Sequence, residues 1–168
     1  MARAVIVGGG ISGLSAALKL GRAGHTVTVL ERDATPMPES ADEAFEWDRR
    51  GAPQVRHSHA FLARLYGLMR DHEPDLLAAL LEAGATEMRF GENLPDTMEH
   101  FVAEPGDTDL TMLACRRTTF EWVLRRTALG EGNVEFRTGV AVEGLTASTH
   151  RTLGTGPAAR AVPVVDGV

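Results

Sequence analysis

AVIVGGGISGLSAALKLGRAGHTVTVLER, residues Ala4 to Arg32, decides the fold. Val5, Ile6 and Val7 make a short apolar run of the kind that is buried on both faces of a sheet, and Gly8, Gly9 and Gly10 then force it into a tight turn. Gly13 completes the spacing Gly8-x-Gly10-x-x-Gly13. In such a turn the first glycine bends the chain, the second lets backbone approach a pyrophosphate, and the third lets helix and strand pack closely. The N–H groups at the helix start, among them those of Ile11, Ser12 and Gly13, would face the phosphates. From Ile11 the apolar residues Leu14, Ala17, Leu18 and Leu20 recur at helical spacing, and Gly24 is placed to end the helix. His25 to Leu30 alternates into a second strand that closes on Glu31, where a carboxylate can accept hydrogen bonds from both hydroxyls of an adenosine ribose. Strand, turn, helix, second strand and terminal acid occur together, which is the context a nucleotide-binding βαβ unit demands.

The surroundings of this unit bound what it can belong to. At 168 residues and 18.0 kDa the chain holds one domain with a real core, or a domain and part of another. A net charge of −6, without a long basic cluster, argues against a polyanion-binding surface, so nucleic acid is not an expected partner. No apolar run reaches the roughly eighteen residues a membrane span needs, and the N-terminus lacks a signal-peptide pattern, so the expected location is the cytoplasm. The single cysteine, Cys115, excludes an internal disulfide, and its setting in Met-Leu-Ala-Cys favours a small buried residue over a nucleophile.

Downstream, residues 33–53 carry three prolines and a run of acids without a sustained period, so they read as a long loop. It is either a solvated excursion or a cover over the nucleotide anchored by Trp47. A helical hairpin is expected over 58–84, with Ser58 as the first N-cap. His57 and His59 have no carboxylate or cysteine at metal-ligand spacing, so no metal is expected; they are either ordinary residues of the helix start or polar contacts to a ligand. Residues 86–115 read as an antiparallel excursion with strands at 86–90, 101–103 and 110–115. Thr118 and Glu121 have capping-box spacing ahead of a helix that buries Phe120, Val123 and Leu124. Arg116 and Arg117, just before it, are either a solvated pair or a clamp on phosphate or ribityl oxygens. Residues 134–137 and 140–145 read as paired strands, the first near the βαβ unit, and 147–168 as a weakly structured tail or the start of a further part of the protein.

Three stretches in this order resemble the FAD-dependent oxidoreductases of the p-hydroxybenzoate-hydroxylase-like superfamily, which share a glutathione-reductase-type Rossmann domain. They are the βαβ unit ending in Glu31-Arg32, the run GAPQVRHSHAFL, and RRTTFEWVL, which is similar to the family's Arg-x-x-Leu-Glu-x-x-Leu motif at Arg117, Phe120, Glu121 and Leu124. The resemblance implies an α/β fold: a Rossmann-like FAD-binding domain over 1–146, with a parallel βαβ core and a small β excursion. It implies cofactor contacts at Gly8, Gly10, Ile11, Ser12, Gly13, Glu31, Arg32 and Arg117, and it names no catalytic residue. The family's later Gly-Asp motif has no counterpart here, so the chain is expected to be the N-terminal portion of such an enzyme, with a second polypeptide as one source of the missing domain.

The expected activity of the complete protein is that of a flavin monooxygenase acting on a small organic substrate, with FAD as cofactor and NAD(P)H as reductant. A non-catalytic dinucleotide-binding module and an NAD-dependent dehydrogenase domain remain the alternatives.

Overall fold

A computed structural model describes residues 1–49, 58–92, 102, 104–153 and 160–168. Its centre is a parallel three-stranded sheet in the order β6-β2-β1, with β1 at Arg3–Val7, β2 at Thr26–Glu31 and β6 at Val134–Thr138. The register runs Val5↔Thr28 and Val7↔Leu30 between the first two strands, then Thr28↔Glu135 and Leu30↔Arg137. Helix α1 (Ile11–Arg22) crosses from β1 to β2 and covers one face. Its Ala17 packs there with Val27, Val29 and Val134, which are all buried. Gly24, at φ +79°, ends the helix, and its N–H donates to the Gly21 carbonyl at 2.8 Å.

Helix α4 (Arg117–Gly130) lies beside α1 and feeds β6. Against these two pack α2 (Ala63–His72) and α3 (Pro74–Glu82), so that Leu14, Leu18, Met69, Leu76, Leu80, Phe120 and Leu124 form the larger core. Arg22 fastens the helix ends, pairing with Glu73 and Asp75 at the start of α3 and with Glu131 after α4, while Lys19 also reaches Glu73. The shared carboxylates hold the Arg22 guanidinium above its usual pKa, the Asp75 bond being the main cause.

A second, antiparallel sheet has the order β3-β5-β4, with β3 at Ser58–Phe61, β4 at Thr86–Met88 and β5 at Met112–Arg116. Cys115 on β5 is buried, and burial pushes its thiol pKa up to about 11. A two-stranded hairpin, β7 (Thr146–Leu153) with β8 (Arg160–Gly167), closes the chain.

Several local expectations give way to pairing partners that a single segment cannot reveal. Ser58 is not an N-cap: residues 58–61 form β3 against β5, Phe61 stacks on Phe120 at 4.3 Å, and the helix starts only at Ala63. A short apolar run such as Ala60-Phe61-Leu62 suits helix or strand equally until its neighbour is known. The strand expected at 86–90 ends at Met88. Residues 140–145 do not pair with β6: Gly139 turns the chain at φ +71°, and the Val140 N–H donates to the Glu31 carbonyl at 3.0 Å. Within the tail, Thr146–Leu153 and Arg160–Gly167 pair as β7 and β8, with Pro163 opposite His150, a place a two-stranded ribbon tolerates because it has outer edges. His57 and residues 101 and 103 lie outside the described residues.

Candidate cofactor-binding site

The glycine turn is built by separate constraints at each position. Gly8 has φ +97°, a conformation that side chains strain, and its N–H donates to Leu30 O at 2.8 Å. A Cβ on Gly13 would overlap the Gly8 carbonyl and stand 3.3 Å from Ile6 Cγ2, so this glycine sets the approach of α1 to β1. At Gly10 a Cβ would meet nothing within 4 Å. That position is the N-cap of α1, with no side-chain cap and no acid in the first turn. The N–H groups of Ile11, Ser12 and Gly13 lie in the turn that has no intrahelical acceptors, and the helix dipole adds positive potential there. An open, uncapped helix start of this kind fits an anion.

Gly9 carries a constraint that the glycine spacing does not disclose. A Cβ there would overlap the Phe136 ring on β6 and come 3.0 Å from Glu31 Oε2. Its N–H donates to that same oxygen at 2.7 Å, and the Asp33 N–H donates to Glu31 Oε1 at 2.9 Å. Burial works to raise the Glu31 pKa, but the two backbone donors and Arg49 outweigh it and hold the carboxyl below its ordinary value. The acid at the end of β2 is thereby kept ionised and oriented, with lone pairs left for further donors.

The loop after β2 is no solvated excursion in its described part. Trp47 joins the core, and the Trp122 indole N–H donates to Pro38 O at 2.8 Å. Arg49 is only 4% exposed. Its Nε donates to Glu121 Oε1 at 2.7 Å, its Nη1 donates to Asp33 Oδ2 at 2.9 Å, and its Nη2 lies 3.6 Å from Glu31 Oε2. Glu121 is fully buried, and its second oxygen lies 4.0 Å from Arg117 Nε without a hydrogen bond. Arg125 is also buried, stacked 3.7 Å over the Phe136 ring, with Nε and Nη1 lacking partners; burial, then Arg49, lowers its pKa to about 10.

A line of charge therefore runs from Glu31 through Arg49 and Glu121 to Arg117, joining two stretches that are far apart in sequence. Thr118 and Glu121 do not form a capping box: Arg116 is the N-cap without a side-chain bond, and the Glu121 carboxylate is committed to Arg49. Arg32 is exposed and stands outside this network. Sequence reasoning missed Gly9, Arg49 and Arg125. The one available signal was an arginine two residues after the loop's Trp47, which reads as surface until the loop is seen to fold inward.

The open cradle at Gly10, the uncapped start of α1, the pre-oriented Glu31 and the buried, hydrogen-bond-deficient Arg117 Nε and Glu121 Oε2 together fit a dinucleotide with an acidic centre and a polar sugar. Comparisons with known proteins agree. Residues 3–40 match the family model described as FAD dependent oxidoreductase. A protein of Mycobacterium tuberculosis, Rv3254, is 34% identical over 139 residues, which is 79% of this chain and 27% of that protein. Among solved structures, the p-nitrophenol 4-monooxygenase PnpA of Pseudomonas putida is similar at 24% identity and TM-score 0.58, covering 98% of this chain and 40% of that one. The Diels-Alderase PyrE3 of pyrroindomycin biosynthesis is similar at 22% identity and TM-score 0.58, covering 96% and 30%. At these identities the structural likeness speaks for the fold. The chain spans about a quarter to two fifths of the length of these relatives.

Proposed function

Starting from a chain that carries at residues 3–40 the nucleotide-binding unit of the FAD-dependent oxidoreductases, we propose that it is the FAD-binding portion of a flavin monooxygenase for a small organic molecule, with NAD(P)H as reductant. The observation that carries this reading is the open Gly10 position at the uncapped start of α1, one residue from the backbone donor that orients Glu31. Gly8, Gly10 and Gly13, with the N–H groups of Ile11 and Ser12, would hold the pyrophosphate. Glu31 would accept from the adenosine ribose hydroxyls, Arg32 would lie at the solvent side of that sugar, and Arg117 would donate to a more distant part of the cofactor. Bound FAD would supply hydride acceptance and oxygen transfer; the chain supplies binding and orientation. Arg49 would fix Glu31 and Glu121 relative to each other, and so fix the spacing between the two ends of the site.

The test is a fluorescence titration of the polypeptide with FAD. Gly10→Ala places a methyl group in the open cradle where nothing else stands, and Gly10 already has an ordinary φ of −77°. It should leave thermal unfolding unchanged while weakening FAD binding at least about tenfold, equivalent to 1.4 kcal/mol. Gly67→Ala, inside α2 and equally open, should leave FAD binding unchanged and raise thermal stability, since a helix-interior glycine costs about 1 kcal/mol relative to alanine. Equal binding by the Gly10 variant and the parent would refute the assignment.

A second reading, binding without turnover, is favoured by the small share of the relatives' length that this chain spans. Oxidation of NADPH by the FAD-loaded polypeptide alone would exclude it.

A further inference from the structure

Gly9 is buried, and unlike Gly8 it does not have the positive φ that favours glycine. What excludes a side chain there is a neighbour. Phe136 on β6 stands opposite Val29 in the register and packs with Ala17, Val27, Val29 and Val134 under the helices, and its Cζ and Cε2 occupy the place that a Cβ on Gly9 would take. The ring meets Gly9 with its edge. Its face is covered by the Arg125 guanidinium, which lies 3.7 Å from the ring centroid on a side chain only 6% exposed. A buried guanidinium ordinarily gives its forked donors to oxygens, yet Nε and Nη1 of Arg125 have no hydrogen-bond partner among the described residues. Such a group calls for a reason. A planar cation laid on an aromatic face supplies one, because that attraction strengthens where water is excluded.

These contacts close into a ring around Glu31. Arg125 also lies 5.8 Å from the Trp47 ring centroid and Arg49 lies 5.1 Å from the same ring, while Arg49 Nη2 is 3.6 Å from Glu31 Oε2. The Gly9 N–H donates to that oxygen at 2.7 Å, and a Cβ on Gly9 would stand 3.0 Å from it. Gly9 is therefore held between the ring edge of Phe136 and the carboxylate of Glu31. With the ring edge in place the peptide has little room to rotate, and in the position left to it the N–H points at the acid.

We infer that Phe136, backed by Arg125, is a positioning residue of the cofactor site: its ring edge aims the Gly9 N–H at Glu31 and so fixes the acid that would receive the adenosine ribose. The consequence for the ribose rests on the FAD reading above, whereas the aiming of Gly9 does not. Both side chains act through Gly9, from β6 and α4, at positions that the glycine spacing of the turn does not involve.

The test is a double-mutant cycle on the 168-residue chain, read without flavin by amide hydrogen exchange and with flavin by titration with FAD. Phe136→Leu removes the ring edge and should speed exchange of the Gly9 amide at least about tenfold, while Val27 and Val29, inside the sheet, change less than about twofold. FAD affinity should fall at least about fivefold in the same variant. Arg125→Met, which keeps a long side chain but no planar cation, should act in the same direction and more weakly, by about threefold in each readout. Gly9→Ala alone should weaken FAD binding at least about tenfold, because its methyl group meets the ring, and adding Phe136→Leu should restore part of that loss. Two unrelated destabilisations would add instead of rescuing. An unchanged Gly9 amide in Phe136→Leu or in Arg125→Met would overturn the inference, as would exchange raised equally at Gly9, Val27 and Val29, or a double variant that binds FAD no better than Gly9→Ala. A parent chain that takes up no FAD would sink the cofactor reading instead, and the exchange measurements would still decide whether Phe136 aims Gly9.

Discussion

Two buried acids meet the same arginine, yet they are held in opposite ways. Glu31 closes β2, accepts from the Gly9 and Asp33 backbone N–H groups, and has its pKa held down. Glu121 lies inside α4, fully buried; burial raises its pKa, and its stabilisation comes from Arg49, Arg117 and Arg125. Backbone donors at a turn come with the fold and cannot be removed by a side-chain change. Guanidinium partners have to be delivered by other segments. One acid is therefore poised by local geometry and the other by tertiary assembly, and Arg49 couples the two.

The largest break in that contrast should come from Arg49→Met. It strips Glu121 of its hydrogen-bond donor among the described residues while leaving Glu31 its backbone pair, and breaking a buried pair from one side typically costs about 3–5 kcal/mol. Denaturant unfolding should show a loss of that order, and a loss below about 1 kcal/mol would mean that the network contributes little net stability. Glu31→Gln should act mainly on the ligand. Removing a charged acceptor costs about 1.5–3 kcal/mol, which in an FAD titration is a loss of roughly ten- to 150-fold. If affinity is unchanged, Glu31 is a structural acid only.

The smallest effect is a difference in pH slope. Glu31 has its folded pKa below the ordinary 4.5, so its contribution is present above that value and is lost as pH falls through the folded pKa. Glu121 has its folded pKa above 4.5, so the native state binds the extra proton in between, and stability falls as pH rises from 4.5 through the raised value. Unfolding followed across pH 3 to 7 should therefore flatten on the acid side of 4.5 in Glu31→Gln and on the other side in Glu121→Gln. Identical profiles would show that the two acids do not differ as described.

What was legible from sequence follows the same division. The βαβ unit could be read because its constraints are local: Gly8 for its positive φ, Gly13 for its contact with the turn, and the alternation that ends in Glu31. Phe136 against Gly9, and Arg49 between Asp33 and Glu121, join segments whose proximity no spacing encodes. The same is true of Ser58–Phe61, which becomes a strand because Met112–Arg116 lies beside it. Spacing left Arg117 as either a solvated charge or a clamp, and the proposal of a cofactor contact there rests on resemblance and on the unbonded Nε beside Glu121.

Cys115 gives the molecule an internal clock. It is the only thiol of these 168 residues, it is buried in the larger core on a face of its sheet, and its thiolate is suppressed. A thiol reagent added to the folded chain reacts when the core over β5 opens, so the labelling rate follows openings of that core with no dye or engineered probe.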